Sequence, residues 1–139
     1  MDMYGNTANC RIIKFRGKRK SNNEWVFGSL IQDGTDFYIW PPSCGWFELY
    51  DTLCKVHPET VGQFTGLLDK NGEEIYEGDL FKDGHIEYPY TYEVYWDDRF
   101  QWSTRHFDTK QFSGSLSNDK YIVAQEYRVT IIGNIHDNT

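Results

Sequence analysis

Four glycines divide residues 59–81, ETVGQFTGLLDKNGEEIYEGDLF, into short segments, and their spacing restricts this part of the chain to strands joined by tight turns. The Asn71-Gly72 pair predicts a hairpin, because this pair readily adopts the positive φ of a tight turn. Gly78-Asp79 predicts a bend before an apolar strand, and Gly62 and Gly66 mark bulges or close approaches of the backbone. The stretch matches no phosphate-binding glycine motif and no helical pattern follows it, so we interpret these positions as structural turns and not as an anion cradle.

Turn-forming residues also separate the other predicted strands. Residues 10–31, CRIIKFRGKRKSNNEWVFGSLI, predict a hairpin, and residues 33–36, DGTD, turn the chain into a strand, FYIW, which Pro41-Pro42 ends. Residues 46–56 fit either a short helix or a strand, and their aromatic content favours the strand. Residues 88–102 alternate with a period of two around a turn at residues 97–99, with Phe100 and Trp102 on the returning strand, and residues 121–135 supply the last strands. The chain is therefore predicted to be mainly β, with a small, partly open barrel in its second half.

Length and composition narrow the class of protein. The 139 residues suit one compact domain or two small halves that share a core, a β-rich half over residues 1–66 and the barrel over residues 67–139. No apolar run approaches the roughly 20 residues that span a bilayer, and the N-terminus lacks the pattern of a secretory signal. The three cysteines, Cys10, Cys44 and Cys54, suit no disulfide framework. We therefore expect a cytoplasmic protein without membrane contacts.

The net charge of −7 comes entirely from the second half of the chain. Residues 1–70 hold eight acidic and eight basic side chains, whereas residues 71–139 hold thirteen acidic and six basic ones. A basic cluster nevertheless lies in the first predicted hairpin: Lys14, Arg16, Lys18, Arg19 and Lys20. Its side chains are candidate contacts to nucleic-acid phosphates, or else they form a solvated turn or pair with the acidic second half. We favour the second interpretation, because an acidic protein repels a polyanion.

Beyond these local patterns the chain resembles the YopX family of phage and prophage proteins. The segments that carry the resemblance are residues 14–19 (KFRGKR), 25–30 (WVFGSL), 58–67 (PETVGQFTGL), 69–72 (DKNG), 75–79 (IYEGD) and 132–135 (IGNI). The resemblance covers nearly the whole chain. It implies a mainly β fold whose C-terminal part is an SH3-like barrel, and an origin in a mobile element. It implies no catalytic residues, and residues 88–102 belong to the variable part, so details of partners need not transfer.

Residues suited to catalysis or metal binding are only weakly indicated. The histidines are widely spaced: His57, His85, His106 and His136. Without a paired-cysteine motif to complete a site, we predict no metal and no cofactor. Glu77 and Asp79 would share one face of a strand, as the carboxylates of a glycosidase face each other across a substrate. Gly78 lies between them, however, and Asp79 is better suited to bind backbone groups of its own turn. We therefore predict that the protein is not an enzyme.

The aromatic strand before residue 97 offers the candidate contact surface. Tyr95 breaks the alternation of the large rings, and Glu93 and Asp97 share its face. Exposed aromatic rings beside acidic residues are typical of protein contacts rather than of base stacking. We predict a non-enzymatic protein-interaction module whose partner is another protein or a second copy of the chain. The alternative is a nucleic-acid-binding accessory protein of phage DNA metabolism that uses the basic hairpin at residues 14–20.

Overall fold

The computed structural model describes residues 12–41, 54–82, 90–115 and 130–137, and these residues form two antiparallel sheets. The strands of the first half are β1 (Phe15–Lys18), β2 (Trp25–Asp33), β3 (Asp36–Trp40), β4 (Cys54–Val56) and β5 (Gly62–Leu68). The second half supplies β6 (Glu74–Tyr76), β7 (Asp79–Lys82), β8 (Thr91–Trp96), β9 (Trp102–His106), β10 (Phe112–Ser115) and β11 (Thr130–Asn134). A short 3-10 helix, Pro58–Thr60, precedes β5. The predicted mainly β fold is confirmed.

The first sheet has the strand order β4-β3-β2-β1-β5-β6. Its three predicted hairpins are present: β1 pairs with β2, β2 pairs with β3 across a turn that Asp33 and Asp36 flank, and β5 pairs with β6. Alternate side chains of these strands point to one face, where Val26, Ile39 and Val56 form a buried apolar cluster. Residues 54–56 are the strand β4, as their composition favoured, whereas residues 46–53 lie outside the described residues.

The second sheet has the order β10-β9-β8-β7-β11, and among the described residues its two end strands do not pair with each other. The sheet is therefore open, in line with the predicted partly open barrel. Val94 of β8 and Phe81 of β7 meet Ile75 of β6 in the second apolar cluster, so a strand of the first sheet contributes to the core of the second. The prediction for Phe100 is wrong: it lies in the turn, and the returning strand begins at Trp102.

The chain crosses from the first sheet to the second at residues 77–78. We call this crossing the seam, and backbone hydrogen bonds attach it to the second sheet. The Gly78 N–H donates to the Val94 carbonyl (2.8 Å), and the Gly78 carbonyl accepts from the Ile135 N–H (2.9 Å). A further contact joins β11 to the end of β5, where the Ile131 N–H donates to the buried carboxylate of Asp69 (3.0 Å). The predicted boundary between residues 66 and 67 lies inside β5, and the division of the chain into units stays a prediction.

The four glycines of residues 59–81 differ in their structural roles. Gly66, Gly72 and Gly78 have positive φ angles, whereas Gly62 lies where an added β-carbon would be 2.7 Å from the Glu77 carbonyl oxygen. Gly72 is the last residue of a turn that begins at Asp69. Its N–H donates to the Asp69 carbonyl (3.0 Å), and the Asn71 N–H donates to the Asp69 carboxylate (2.8 Å). Among the residues of this turn, Gly72 alone has a positive φ, so the loop is a three-residue hairpin closed by a left-handed glycine.

Replacing Gly72 by valine is expected to lower the free energy of unfolding by about 1 kcal/mol or more, because a β-branched residue resists positive φ. No atom lies within 4 Å of the added β-carbon, so the loss reports backbone conformation alone. The midpoint of urea unfolding measures it, and Gly72→Asn is the matched variant, since asparagine tolerates the left-handed region. Equal midpoints for wild type and Gly72→Val would contradict the assigned turn.

Candidate functional site

A buried ion pair joins the two sheets at the seam. Arg16 is on β1 and only 7% exposed, and its Nη2 lies 2.7 Å from Oδ1 of Asp79, which begins β7 and is 2% exposed. The guanidinium also lies over the rings of Trp25 and Tyr76, at 4.6 and 4.9 Å from their centroids. A charge can be buried at tolerable cost only when it is paired and hydrogen-bonded in this way. The pair therefore fixes how the sheets meet.

The side chains of the basic cluster fall into two groups, because alternate residues along β1 point to opposite faces of the sheet. Besides Arg16, Lys14 pairs with Glu74 (Nζ to Oε2, 2.6 Å), and Lys18 donates to the His136 carbonyl (2.6 Å). Arg19 forms a backbone bridge with Val56 at the start of the turn, and Lys20 is exposed. Three of the five basic side chains thus contact groups of the second half of the chain. Phosphate binding by Lys14, Arg16 or Lys18 would require these contacts to break.

Asp79 is fully engaged within the seam. Its Oδ2 accepts a hydrogen bond from the Tyr76 N–H (2.7 Å), which is the local turn contact that its position after Gly78 predicted. Burial raises the pKa of the Asp79 carboxyl above its ordinary value, although the charge of Arg16 and the Tyr76 N–H both oppose this shift. The Asp79 carboxylate is therefore committed to Arg16 and to its own turn, and not placed as a free partner of Glu77.

Beside the turn at residues 77–78 lies a cleft of about 280 Å³, here called the seam cleft. Its walls come from β8 and β9 of the second sheet, the 3-10 helix and the residue after it, the turn at residues 77–78 and the residues after β11. The side chains that line it are those of Glu59, Val61, Glu77, Glu93, Val94, Tyr95, Trp96, Arg105, Ile135 and His136. Concave sites that combine aromatic walls with a few charged groups are typical of binding sites. A second cleft, of about 330 Å³, lies on the Arg16 side of the seam.

Three groups in the seam cleft have shifted pKa values: Glu77, His136 and Glu93. Burial raises the pKa of the Glu77 carboxyl, and the nearby Glu93 charge adds to the rise, while a hydrogen bond from the Gln63 backbone and the charge of Arg16 oppose it. Burial also lowers the pKa of His136, and the positive charges of Arg16 and Lys18 lower it further. His136 is therefore neutral at pH 7, and the cleft carries negative charge that its histidine does not offset.

The three residues predicted as protein contacts lie on one face of β8 and its end, but they differ in accessibility. Glu93 is buried and pairs with Arg105 (2.9 Å) and Lys110 (2.8 Å). Burial alone would raise the pKa of Glu93, but hydrogen bonds and charges from these two residues outweigh it and lower the pKa. The Arg105 guanidinium lies 4.3 Å from the ring centroid of Tyr95, which remains partly exposed. Glu93 and Tyr95 line the seam cleft, whereas Asp97 does not.

Asp97 instead organises the turn between β8 and β9. Its carboxylate is buried and accepts hydrogen bonds from the Arg99 N–H (2.8 Å), the Ser103 hydroxyl (2.5 Å) and the Gln101 amide (3.2 Å). Burial raises the pKa of Asp97, but these hydrogen bonds, led by that of Ser103, outweigh it and hold the pKa below its ordinary value. The backbone bonds of this turn, Phe100 N–H to Asp97 carbonyl and Asp97 N–H to Gln101 carbonyl, match those of the turn that begins at Asp69.

The two turns differ at the left-handed position. Where the first turn has Gly72, this turn has Phe100, with a φ of 62° and a side chain that is 81% exposed. Trp96, at the end of β8, is 48% exposed and packs edge-on against Trp102, with 4.8 Å between centroids. We call Trp96 and Phe100 the aromatic tip. The alternation of the strand did not predict it, although an aromatic residue three positions after the aspartate of a turn is a signal that the sequence contains.

The described histidines contact polar or aromatic neighbours. His57 Nε2 lies 2.9 Å from Asn23 Oδ1, and the His106 ring packs against the rings of Tyr90 and Tyr92. Within the part of the chain that the structure describes, no three His, Cys, Asp or Glu side chains converge as metal ligands do. No helix in that part has the length and apolar character needed to cross a membrane. His85, Cys10 and Cys44 lie outside the described residues.

Comparisons with known proteins agree with the fold. A family model described as YopX protein matches residues 14–139, which include every segment that meets at the seam. The crystal structure of protein EF1440 from Enterococcus faecalis is similar, with a TM-score of 0.51 and 20% sequence identity over 93% of this chain and 96% of that chain. At that identity the likeness shows the fold alone. No curated protein matches the chain.

Replacing Arg16 by methionine is expected to lower the free energy of unfolding by about 3–5 kcal/mol, because it leaves the Asp79 charge buried without its partner. The double variant Arg16→Met/Asp79→Asn is expected to recover part of this loss. Urea unfolding of the single and double variants forms a double-mutant cycle. Lys20→Met, at an exposed position of the same segment, is the control. A double variant no more stable than Arg16→Met would contradict the ion pair as the source of the loss.

The pH dependence of stability is expected to report Glu77. Because its pKa is raised above the ordinary 4.5, the folded protein binds this proton more tightly than the unfolded chain does. The Glu77 contribution to stability is therefore greatest below pH 4.5 and is lost as pH rises through the raised pKa. Relative to Glu77→Gln, the wild-type urea midpoint should increase between about pH 7 and about pH 4. Parallel midpoints across that range would contradict the burial of Glu77.

Proposed function

This chain belongs to the YopX family, and from that premise we propose that it is a non-enzymatic protein-interaction module of phage or prophage origin, acting in the cytoplasm through its aromatic tip. The partner is another protein, or a second copy of the chain, that covers Trp96 and Phe100. The proposal assigns no reaction to Glu77 and Asp79, since Arg16 and the Tyr76 N–H engage the Asp79 carboxylate.

The observation that carries the proposal is Phe100. A residue other than glycine in the left-handed region costs about 1–2 kcal/mol, and the equivalent position of the other turn avoids this cost with Gly72. Four hydrogen bonds and an ion pair from neighbouring residues to Asp97 nevertheless hold the turn in place. Strained backbone that the surrounding structure enforces is concentrated at functional sites. In this turn the strained backbone places a phenyl ring in solvent. The ring contributes no burial free energy until a partner covers it.

The energetics of burial favour a protein partner for this ring. Fully burying a phenylalanine side chain contributes about 1.5–3 kcal/mol, and a few aromatic anchors commonly supply most of the energy of an interface. Trp96 extends the apolar surface from the same hairpin. Asp98 and Arg99 lie between Trp96 and Phe100 in the chain and are both exposed, and charged residues of this kind are typical of the rim of a protein interface.

The nucleic-acid alternative has weaker support. A groove for single strands combines stacking rings with cations that follow the backbone. Here the rings lie in the half of the chain that carries all the excess negative charge, whereas the basic cluster lies in the other half. Lys14, Arg16 and Lys18 also have partners within the fold. We therefore propose protein contact as the function.

Phe100→Gly is the variant that tests this proposal. It should raise the free energy of unfolding by about 1 kcal/mol, because glycine relieves the left-handed strain, and it should abolish partner binding. Asn23→Gly, at another left-handed position, is the control for binding and should leave partner binding unchanged, although it removes the contact of Asn23 with His57.

Binding is measured with a photo-crosslinking phenylalanine analogue at position 100, in cells that naturally carry the gene. We expect one discrete protein adduct that excess wild-type chain removes and excess Phe100→Gly chain does not. The same analogue at the exposed position 20 should give no such adduct. Equal competition by both chains, or no adduct, would overturn the proposal. So would submicromolar binding of labelled DNA or RNA at about 150 mM salt that a Lys18, Arg19 and Lys20 to Glu triple variant loses.

A further inference from the structure

One arrangement recurs in the described part of the molecule: a guanidinium that lies over an aromatic ring and pairs with a carboxylate. Planar guanidinium groups favour this geometry because one face stacks while the edge donates hydrogen bonds. The distances from guanidinium to ring centroid are 4.3–4.6 Å. The three sets are Arg16 with Trp25 and Asp79, Arg105 with Tyr95 and Glu93, and Arg99 with Phe112 and Asp97.

The seam cleft contains the ring and the carboxylate of a fourth such set but not the cation. Glu77 and Trp96 both line it. The ion pairs around the seam use Glu74, Asp79 and Glu93, and among the described residues none involves the Glu77 carboxylate. Burial in the cleft raises the pKa of Glu77, and the charge of Arg16, which pairs with Asp79, only partly opposes this shift. A bound cation would stabilise its charged form.

The charges and the size of the cleft fit a single basic side chain. Its lining includes three carboxylates, Glu59, Glu77 and Glu93, against the one guanidinium of Arg105. Lys110 pairs with Glu93 from outside the cleft, and the balance remains negative when it is counted. The volume of about 280 Å³ lies just below the range of about 300–1,000 Å³ that is usual for whole small-molecule ligands.

We infer that the seam cleft receives an arginine side chain of the partner protein, with the Glu77 carboxylate as its ion-pair acceptor and the Trp96 indole as its stacking surface. This inference rests on the proposed function and gives the partner a chemistry. Arginine suits the site better than lysine, because only a planar guanidinium stacks on a ring and donates two parallel hydrogen bonds to a carboxylate. Trp96 belongs to both the cleft and the aromatic tip, so the partner presents this arginine beside the apolar group that covers Phe100.

The test uses the full chain labelled with ¹⁵N and three probes of matched size: N-acetyl-arginine amide, N-acetyl-lysine amide and N-acetyl-citrulline amide. Citrulline keeps the planar shape of arginine without its charge. We expect saturable, millimolar binding of the arginine probe, with shifts of the Gly78 amide and Trp96 indole N–H signals. Binding of the lysine probe should be several-fold weaker, and the citrulline probe should not bind.

Glu77→Gln should weaken binding of the arginine probe by about tenfold or more, the usual worth of a hydrogen bond to a charged group. Glu73→Gln is the matched control, because Glu73 is exposed and does not line the seam cleft. The amide spectrum of each variant verifies its fold. Equal binding of the arginine and citrulline probes, no saturable shift, or unchanged affinity in Glu77→Gln would overturn the inference.

The crosslinking competition separates this inference from the proposed function. If the position-100 adduct persists and the Glu77→Gln chain competes as well as wild type, the cleft assignment is wrong and the proposed function stands. If Phe100→Gly competes as well as wild type, the proposed function is wrong. The probe titration then shows only whether the seam cleft binds arginine, and not that the proposed partner supplies it.

Discussion

Arg16 imposes the strictest requirement on this fold, because a buried guanidinium allows little variation around it. Its desolvation costs several kcal/mol unless an opposite charge and further contacts offset that cost. The offset comes from Asp79 on the other sheet and from the rings of Trp25 and Tyr76. Arg16 and these partners come from three separate parts of the chain, since Tyr76 and Asp79 share one segment. Bringing them to one guanidinium fixes the register of β1 against β2, the turn at residues 77–78 and the start of β7 together.

The segments that carry the family resemblance meet around this pair. Residues 14–19 supply Arg16, residues 25–30 supply Trp25, residues 75–79 supply Tyr76 and Asp79, and residues 132–135 supply the Ile135 N–H that binds the Gly78 carbonyl. The residues that meet at the seam therefore lie within segments that carry the resemblance. The aromatic tip lies in residues 88–102, outside those segments.

Local signals in the sequence predicted much of the fold. Turn-forming residues located the hairpins at residues 19–24, 33–36 and 69–72, because each such turn depends on the backbone preferences of a few adjacent residues. The short 3-10 helix at Pro58–Thr60 was missed, since three residues carry too little pattern. The role of the basic cluster depends on its contacts with Glu74, Asp79 and His136. These residues lie about 60 or more positions away from it in sequence. A count of charges cannot reveal such contacts. The prediction that Phe100 lies on a strand assumed that the alternation of side chains continues through the turn. A turn interrupts this alternation, because the chain changes direction there.

The contacts made by residues 131–136 have a consequence for biosynthesis. This segment supplies the Ile131 N–H to Asp69, the Ile135 N–H to Gly78 and the His136 carbonyl to Lys18. Until it leaves the ribosome, each of these groups in the nascent chain lacks a partner that the finished structure provides. Long-range closure of this kind slows folding. The first sheet, although made early, thus completes its contacts only after synthesis has passed residue 136.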